Sequence, residues 1–299
     1  MGLSLGGPHE ESKLGYLYDT YRASPRALAR YANMPDEYEG RVAQEVEEID
    51  LDTLQSALRS PDSDSPSHLI TRVEPSPISR SRYQKTIASQ GVLELLWHRY
   101  LKNSAAEAKH FYNIFQGNSV TASAAGWIFE LRIHHLFRQS YYLISAHIGR
   151  GTSTSPNFDV YDNYTPDRKW EEQELQLWTS RSEEYPLVEG IELQVDRYYR
   201  PAKSYLPTID SLNLVHHKKI QPSPILFMFQ IMYNKEKHVV KEFDMEKVGK
   251  LVLPLNTRKY YVVVTRPGIK PKIEVPKGSC FKEVKLFHHS VHDHKLFPF

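Results

Sequence analysis

The amino-acid sequence predicts an α/β (or α+β) protein, and three observations carry that expectation. Apolar residues recur at helical spacing through residues 90–137. Strand-like segments follow at 190–200, 209–215, 225–233 and 259–265. Two of these, IleLeuPheMetPheGlnIleMetTyr at 225–233 and TyrTyrValValValThr at 260–265, are continuous apolar runs, as in strands buried on both faces of a helix-covered sheet. A chain of 299 residues is ample for a buried core, as one large domain or two smaller ones.

Taken in order, residues 1–20 are Gly-rich and aperiodic, and are expected to be mobile. Ser24-Pro25 reads as an N-cap with proline at the first helical position. A second short helix is expected at 43–54, with acid on its outer face. Residues 60–82 are dominated by Ser, Pro, Asp and Arg and read as a linker, with a short apolar patch at Leu69, Ile70 and Val73. Residues 1–82 therefore form a partly disordered, partly helical N-terminal extension, 83–287 a folded domain, and 288–299 a His-rich tail. Within the domain, Val92, Leu95, Leu96, Tyr100 and Leu101 predict one helix, and residues 105–115 another. After a polar break at 118–123, Trp127, Leu131, His134 and Phe137 repeat at threes and fours, with Trp127 in the core and Glu130 beside the apolar stripe. Residues 151–185 are polar and turn-rich.

Several functional classes are disfavoured. The longest apolar run is well short of the roughly 18–20 residues that cross a bilayer, and no basic segment followed by an apolar one opens the chain. Gly6 stands where a myristoylation signal would carry Ser or Thr. A single cysteine, Cys280, excludes an internal disulfide and a thiolate zinc cluster, and fits a reducing intracellular compartment, cytoplasmic or nuclear. No phosphate-binding GxxxxGK[ST] loop is present. The net charge of +2 hides an asymmetry: residues 200–299 hold 18 Lys/Arg against 8 Asp/Glu. That fits binding to a polyanion such as nucleic acid, or a solvated lysine surface.

Asp210 opens one strand-like segment, and Gln230 is the one strongly polar side chain in the middle of the next. A buried amide costs about 1–3 kcal/mol if it finds no partner, so Gln230 is either a site residue or a core amide satisfied by a hydrogen bond. Glu130 on its helix adds a second carboxylate, or is a surface residue. Hydrolysis of a phosphodiester needs a hard cation held by oxygen ligands, and Mg²⁺ takes one or two carboxylates plus waters.

The chain resembles the PD-(D/E)XK restriction-endonuclease-like superfamily, more closely the nuclease-type domain of Crinkler and retrotransposon-hot-spot effectors, including many fungal proteins. The resemblance rests on AlaGlyTrpIlePheGlu at 125–130, ProThrIleAspSer at 207–211, PheGlnIleMetTyrAsnLysGluLysHis at 229–238, and TyrTyrValValValThr with its ProLysIleGluValPro tail, and covers roughly residues 66–285. It implies a restriction-endonuclease-like mixed sheet flanked by helices and a Mg²⁺-dependent nuclease domain acting on nucleic acid, with DNA the expected substrate. Relatives often carry an upstream P-loop ATPase, so this chain reads as a reduced or truncated member. Glu130 and Asp210 would be metal ligands, and Gln230 would hold the (D/E) position. Met232 stands where the family's lysine belongs. Lys235 and Lys237 are the candidate substitutes, although strand parity turns Lys235 away from Gln230 and Lys237 lies about 23 Å farther along an extended chain. His238 is a candidate base. The alternative is a catalytically inactive module of the same fold that binds nucleic acid or a protein. Two further expectations concern the histidines: a divalent metal on His288, His289, His292, Asp293 and His294, and a phosphate contact at His216, His217, Lys218 and Lys219.

Overall fold

The protein was analysed as a computed structural model, which describes residues 8–59, 67–75, 83–116, 122–138, 143–148, 158–162, 172–175, 184–187, 191–201, 206, 208–216, 223–233, 238–277 and 280–296. The chain divides into two compact units, Met1–Phe129 with Phe297–Phe299, and Glu130–Leu296. The sequence reading drew its boundaries at 82/83 and 287/288.

The first unit is built from α1 (Pro8–Tyr21), α2 (Pro25–Tyr31), α3 (Pro35–Glu48), α4 (Leu51–Arg59), β1 (Thr71–Pro75), β2 (Tyr83–Ile87), α5 (Gln90–Asn103), α6 (Ala105–Gln116) and the start of α7 (Ala122–Phe137). Side-chain caps set several of the helix starts. Ser24 accepts a hydrogen bond from the Ala27 amide at 3.2 Å, with Pro25 in the first turn. Ser89 does the same for Val92, Asp50 for Thr53 and Ser104 for Glu107. The Arg99 guanidinium donates to the carbonyls of Val46 and Ile49, which satisfies orphan acceptors where α3 ends. Helices α1 and α5 approach so closely at Gly91 that a Cβ there would meet the Thr20 carbonyl oxygen at 2.5 Å.

Two expectations are corrected here. Residues 8–21 are helical, and Leu17 and Tyr21 are buried. The segment read as a linker contains an antiparallel β1–β2 pair, Thr71 facing Ile87; Leu69 and Ile70 are buried while Val73 is exposed. Val73 lies on a two-stranded ribbon, so its apolar character marks a strand and not a core contact. Trp127 is half-buried, whereas Ile128 and Phe129 beside it are fully buried.

The second unit is the mixed α/β body that the sequence predicted. After the rest of α7 it contains β3 (Leu143–His147), β4 (Phe158–Asp162), β5 (Glu172–Leu175), β6 (Glu184–Leu187), β7 (Arg197–Pro201), β8 (Ser211–Val215), β9 (Ile225–Met232), β10 (His238–Val239), α8 (Glu242–Gly249), β11 (Arg258–Thr265), β12 (Lys272–Pro276), a 3₁₀ turn (Cys280–Glu283), β13 (Val284–Ser290) and α9 (Asp293–Leu296). Eight strands form one sheet in the order β5-β3-β13-β11-β9-β8-β7-β6. β9, β11 and β13 are mutually parallel at its centre, and β8 and β3 flank them antiparallel. A smaller sheet joins β10, β12 and β4.

Alternation along the strands gives each face its own cover. Phe229 meets Phe137 of α7 with ring centroids 4.5 Å apart, and Tyr198 meets His134 of the same helix. On the opposite face Leu212, Met228, Tyr261, Val263 and Leu286 share a core with Met245 and Val248 of α8, Phe281 of the 3₁₀ turn, and Ile273 and Val275 of the smaller sheet. Coverage on both sides explains the continuous apolar runs of β9 and β11.

The predicted strands at 190–200, 209–215, 225–233 and 259–265 correspond to β7, β8, β9 and β11, with β7 starting late at Arg197 after a turn in which Asp196 has φ 61°. Residues 151–185 hold strands β4, β5 and the start of β6 in their described parts. The His-rich tail is also corrected. His288 and His289 are successive residues of β13 on alternate faces; the strand pairs with both β11 and β3, and both side chains are largely buried. We expect Phe229→Ala to lower the unfolding free energy by about 3–5 kcal/mol, because it empties a site between α7 and the sheet; urea denaturation followed by circular dichroism measures this.

Candidate functional site

Parallel strands direct attention to their carboxyl ends, where crossover connections leave a crevice. At that end stand Gln230 and Met232 of β9, Thr265 of β11 and His288 of β13, and Asp210 immediately precedes antiparallel β8. Asp210 and Gln230, paired by the sequence reading, do meet. The Asp210 Oδ2 accepts a hydrogen bond from Gln230 Nε2 at 2.8 Å and from the Ile231 amide at 2.6 Å, while the Asp210 amide donates to the Phe229 carbonyl at 2.8 Å. The carboxylate thereby extends the β8–β9 ladder by one rung. A carboxylate accepts only, so the amide nitrogen of Gln230 faces Asp210 and its oxygen turns away. That Oε1 is buried without a hydrogen-bond partner.

Asp244 on α8 was missed by the sequence reading. It is fully buried; its Oδ2 accepts from the Thr208 amide at 2.9 Å and from the Thr208 hydroxyl, and its Oδ1 has no hydrogen-bond partner. The Tyr261 hydroxyl donates to the Thr208 carbonyl at 2.7 Å and lies 3.0 Å from His238 Nε2. Since the tyrosine proton is committed to Thr208, His238 is the donor in that second contact, with its proton on Nε2. Burial pushes His238 down to about 4 against the opposing charge of Asp244, and burial lifts Tyr261 well above 10, with the charges of Asp210 and Asp244 adding to it. His238 is thus a neutral hydrogen-bond donor near pH 7 and poorly placed to serve as the expected base. The signal for Asp244 was in the sequence: it falls on the stripe of Met245, Val248 and Leu251, where an unpaired carboxylate is costly.

Glu130 leads elsewhere. Its Oε1 is 3.5 Å from His134 Nε2, one turn along α7 and too long for a hydrogen bond. His134 Nδ1 lies 2.5 Å from the Tyr198 hydroxyl, which donates to Ser211 Oγ at 2.6 Å. This chain of side chains crosses from the helix to the residue beside Asp210, on the face that carries Phe229. Gln230 shares the other face with Met228 and Met232.

Met232 belongs to the hydrophobic cluster that includes Met228, Tyr261 and Val263, so a thioether occupies the position implied for the lysine. Lys235 and Lys237 lie outside the described residues, as do His217, Lys218 and Lys219. Arg266, directly after β11 at the same sheet end, was not anticipated. Its Nη1 donates to the Tyr233 hydroxyl at 2.8 Å, and its guanidinium sits 4.2 Å from the centre of the Tyr233 ring. His288 is also engaged within the fold, with Nε2 2.8 Å from the Thr265 hydroxyl, and burial pushes it down to about 4.

These groups do not fit a Mg²⁺ cage as they are arranged. Mg²⁺ requires oxygen donors near octahedral geometry, yet Gln230 aims its N–H₂ at the carboxylate and the Ile231 amide holds the same oxygen. Among the described residues no three His, Cys, Asp or Glu side chains converge closely enough to hold a metal ion. A second polar cluster lies at the opposite strand ends. A cleft of about 420 Å³ there is lined by Thr257, Arg258, Lys259, Tyr260, Glu283 and Lys285, three cations against one carboxylate.

Comparison with protein-family models, with curated proteins and with solved structures finds no match for this chain.

Asp210→Ala leaves the Ile231 amide and the Gln230 amide nitrogen without their acceptor. We expect a stability loss of about 2 kcal/mol, since the half-buried position lets water replace part of the contact; chemical denaturation measures it. His238 and His288 are both depressed from 6.5 to about 4, so the unfolded chain binds more protons between those values. Stability present above pH 6.5 is therefore lost as pH falls toward 4, by up to about 1.4 kcal/mol per pH unit for each histidine. Unfolding free energies across this range should show a shallower slope in the His238→Gln/His288→Gln variant.

Proposed function

We propose that this chain is a nuclease-like module of the restriction-endonuclease type that binds nucleic acid, with DNA the expected ligand, and does not cleave it. The observation that carries the reading is the closed Asp210–Gln230–Ile231 pairing, with the Met232 thioether in the core where a cation would stabilise developing negative charge. Among the described residues, a thioether and not an ammonium stands at the position where the resemblance places the lysine. Binding is supported by the basic C-terminal third, and the phosphate contacts are assigned to Arg258, Lys259 and Lys285 around the 420 Å³ cleft. Phosphates approaching there release counterions, so affinity falls steeply with salt.

A second reading, a Mg²⁺-dependent nuclease, is favoured by one specific observation. Gln230 Oε1 and Asp244 Oδ1 are buried acceptors without hydrogen-bond partners, the kind of group a cation or ordered water satisfies. Turning the Gln230 amide over would present its oxygen toward Asp210 if a cation joined them.

One pair of assays separates the two. Fluorescence anisotropy with a labelled DNA duplex across a salt series should show binding. Arg258→Glu/Lys285→Glu should weaken it at least about tenfold, and should lower the salt slope by about 0.9 for each phosphate no longer neutralised. Incubation of the same duplex with Mg²⁺ should leave it intact. Cleavage that disappears in Asp210→Ala, in protein still folded by circular dichroism, would replace the first reading with the second.

A further inference from the structure

We propose that a cleft on the N-terminal unit, formed by Arg26, Arg30, Arg41 and His68 over a floor of Tyr31 and Tyr38, is a binding site for a small phosphorylated ligand. The cleft encloses about 570 Å³, within the usual range for small-molecule sites, and among the described residues no acidic side chain lines it. Arg26 and Arg30 come from α2, Arg41 from α3, and His68 from the turn ahead of β1.

One buried tyrosine orients two of the cations. The Arg30 guanidinium lies 5.2 Å from the centre of the Tyr31 ring and that of Arg41 lies 5.8 Å from it, while Arg41 also donates to the Tyr31 hydroxyl. Stacking on an aromatic ring holds a guanidinium in place without neutralising it. Glu37 and Glu45 act on Arg41 from its own helix but do not line the cleft. Among the described residues neither Arg26 nor Arg30 forms an ion pair with a carboxylate. Three like charges drawn around one cavity repel each other, and an anion inside it reverses the sign of that energy. Guanidinium forks match the paired oxygens of a phosphate group, and several together favour a di- or polyanion over a single carboxylate.

Isothermal titration of the full chain with inorganic pyrophosphate tests the site, with a nucleoside diphosphate as a second arm. Saturable binding of pyrophosphate is expected, weakened at least about tenfold in Arg26→Ala and in Arg30→Ala, as removal of one charge-assisted hydrogen bond implies. Both arginines are exposed, so the variants should fold as the parent does. Arg72→Ala, which removes a cation paired with Glu74 on β1 and not lining the cleft, should leave binding unchanged. Tighter binding of the nucleoside diphosphate would support the proposal and show that the rest of the cavity receives a ring. No heat of binding at millimolar pyrophosphate, or an equal loss in Arg72→Ala, would overturn it. Because these residues lie apart from Arg258, Lys259 and Lys285 in sequence and unit, either result stands independently of the DNA assay.

Discussion

The parallel pairing of β9, β11 and β13 is the constraint on which the rest of the larger unit depends. Parallel neighbours cannot be joined by a tight turn, so each step from one to the next must run back across the sheet. The first return carries β10 and α8, and the second carries β12 and the 3₁₀ turn. Those returns cover one face and supply its core partners, Met245, Val248, Ile273, Val275 and Phe281. With α7 on the other face, the central strands are dry on both sides, and their side chains must be apolar or fully engaged.

That requirement makes the few polar residues at the carboxyl ends informative. Asp210, Gln230, Asp244, Thr208, Tyr261, Thr265 and His288 are tied to one another or to backbone in short closed sets. Each such contact offsets desolvation, and an incomplete set is where the energy is least favourable. The two unpartnered oxygens, on Gln230 and Asp244, mark the places where the sets are incomplete.

How much of this was legible follows from the strength of each local signal. The runs at 225–233 and 260–265 declare buried strands, because no solvated segment carries so many apolar residues in sequence. The meeting of Asp210 with Gln230 was also legible, since one precedes a strand and the other interrupts the next. β13 was hidden because its inward positions end in histidine, a residue that composition assigns to a solvated tail; only pairing with Thr265 and neighbouring strands makes it a core element. Asp244 was hidden for a related reason. Its charge outweighs its position on the apolar stripe until Thr208 is seen to satisfy it. In the N-terminal unit, glycine content masked α1, whose helix is held by tertiary packing around Leu17 and Tyr21.

The place of β13 has a consequence for how the protein comes into being. His147 of β3 faces Phe287, so β3, which pairs with β5 along one edge, waits for one of the last strands of the larger unit before its other edge is paired. During synthesis β9 and β11 can associate while the far edge of β11 stays open, exposing unpaired backbone and the side chains of Tyr260 to Val264. Such an edge is adhesive toward other chains, and contacts of this sequence separation form slowly. The far edge of β11 is closed only when residues 284–290 have emerged, with Ser290 opposite Thr265 as the last rung.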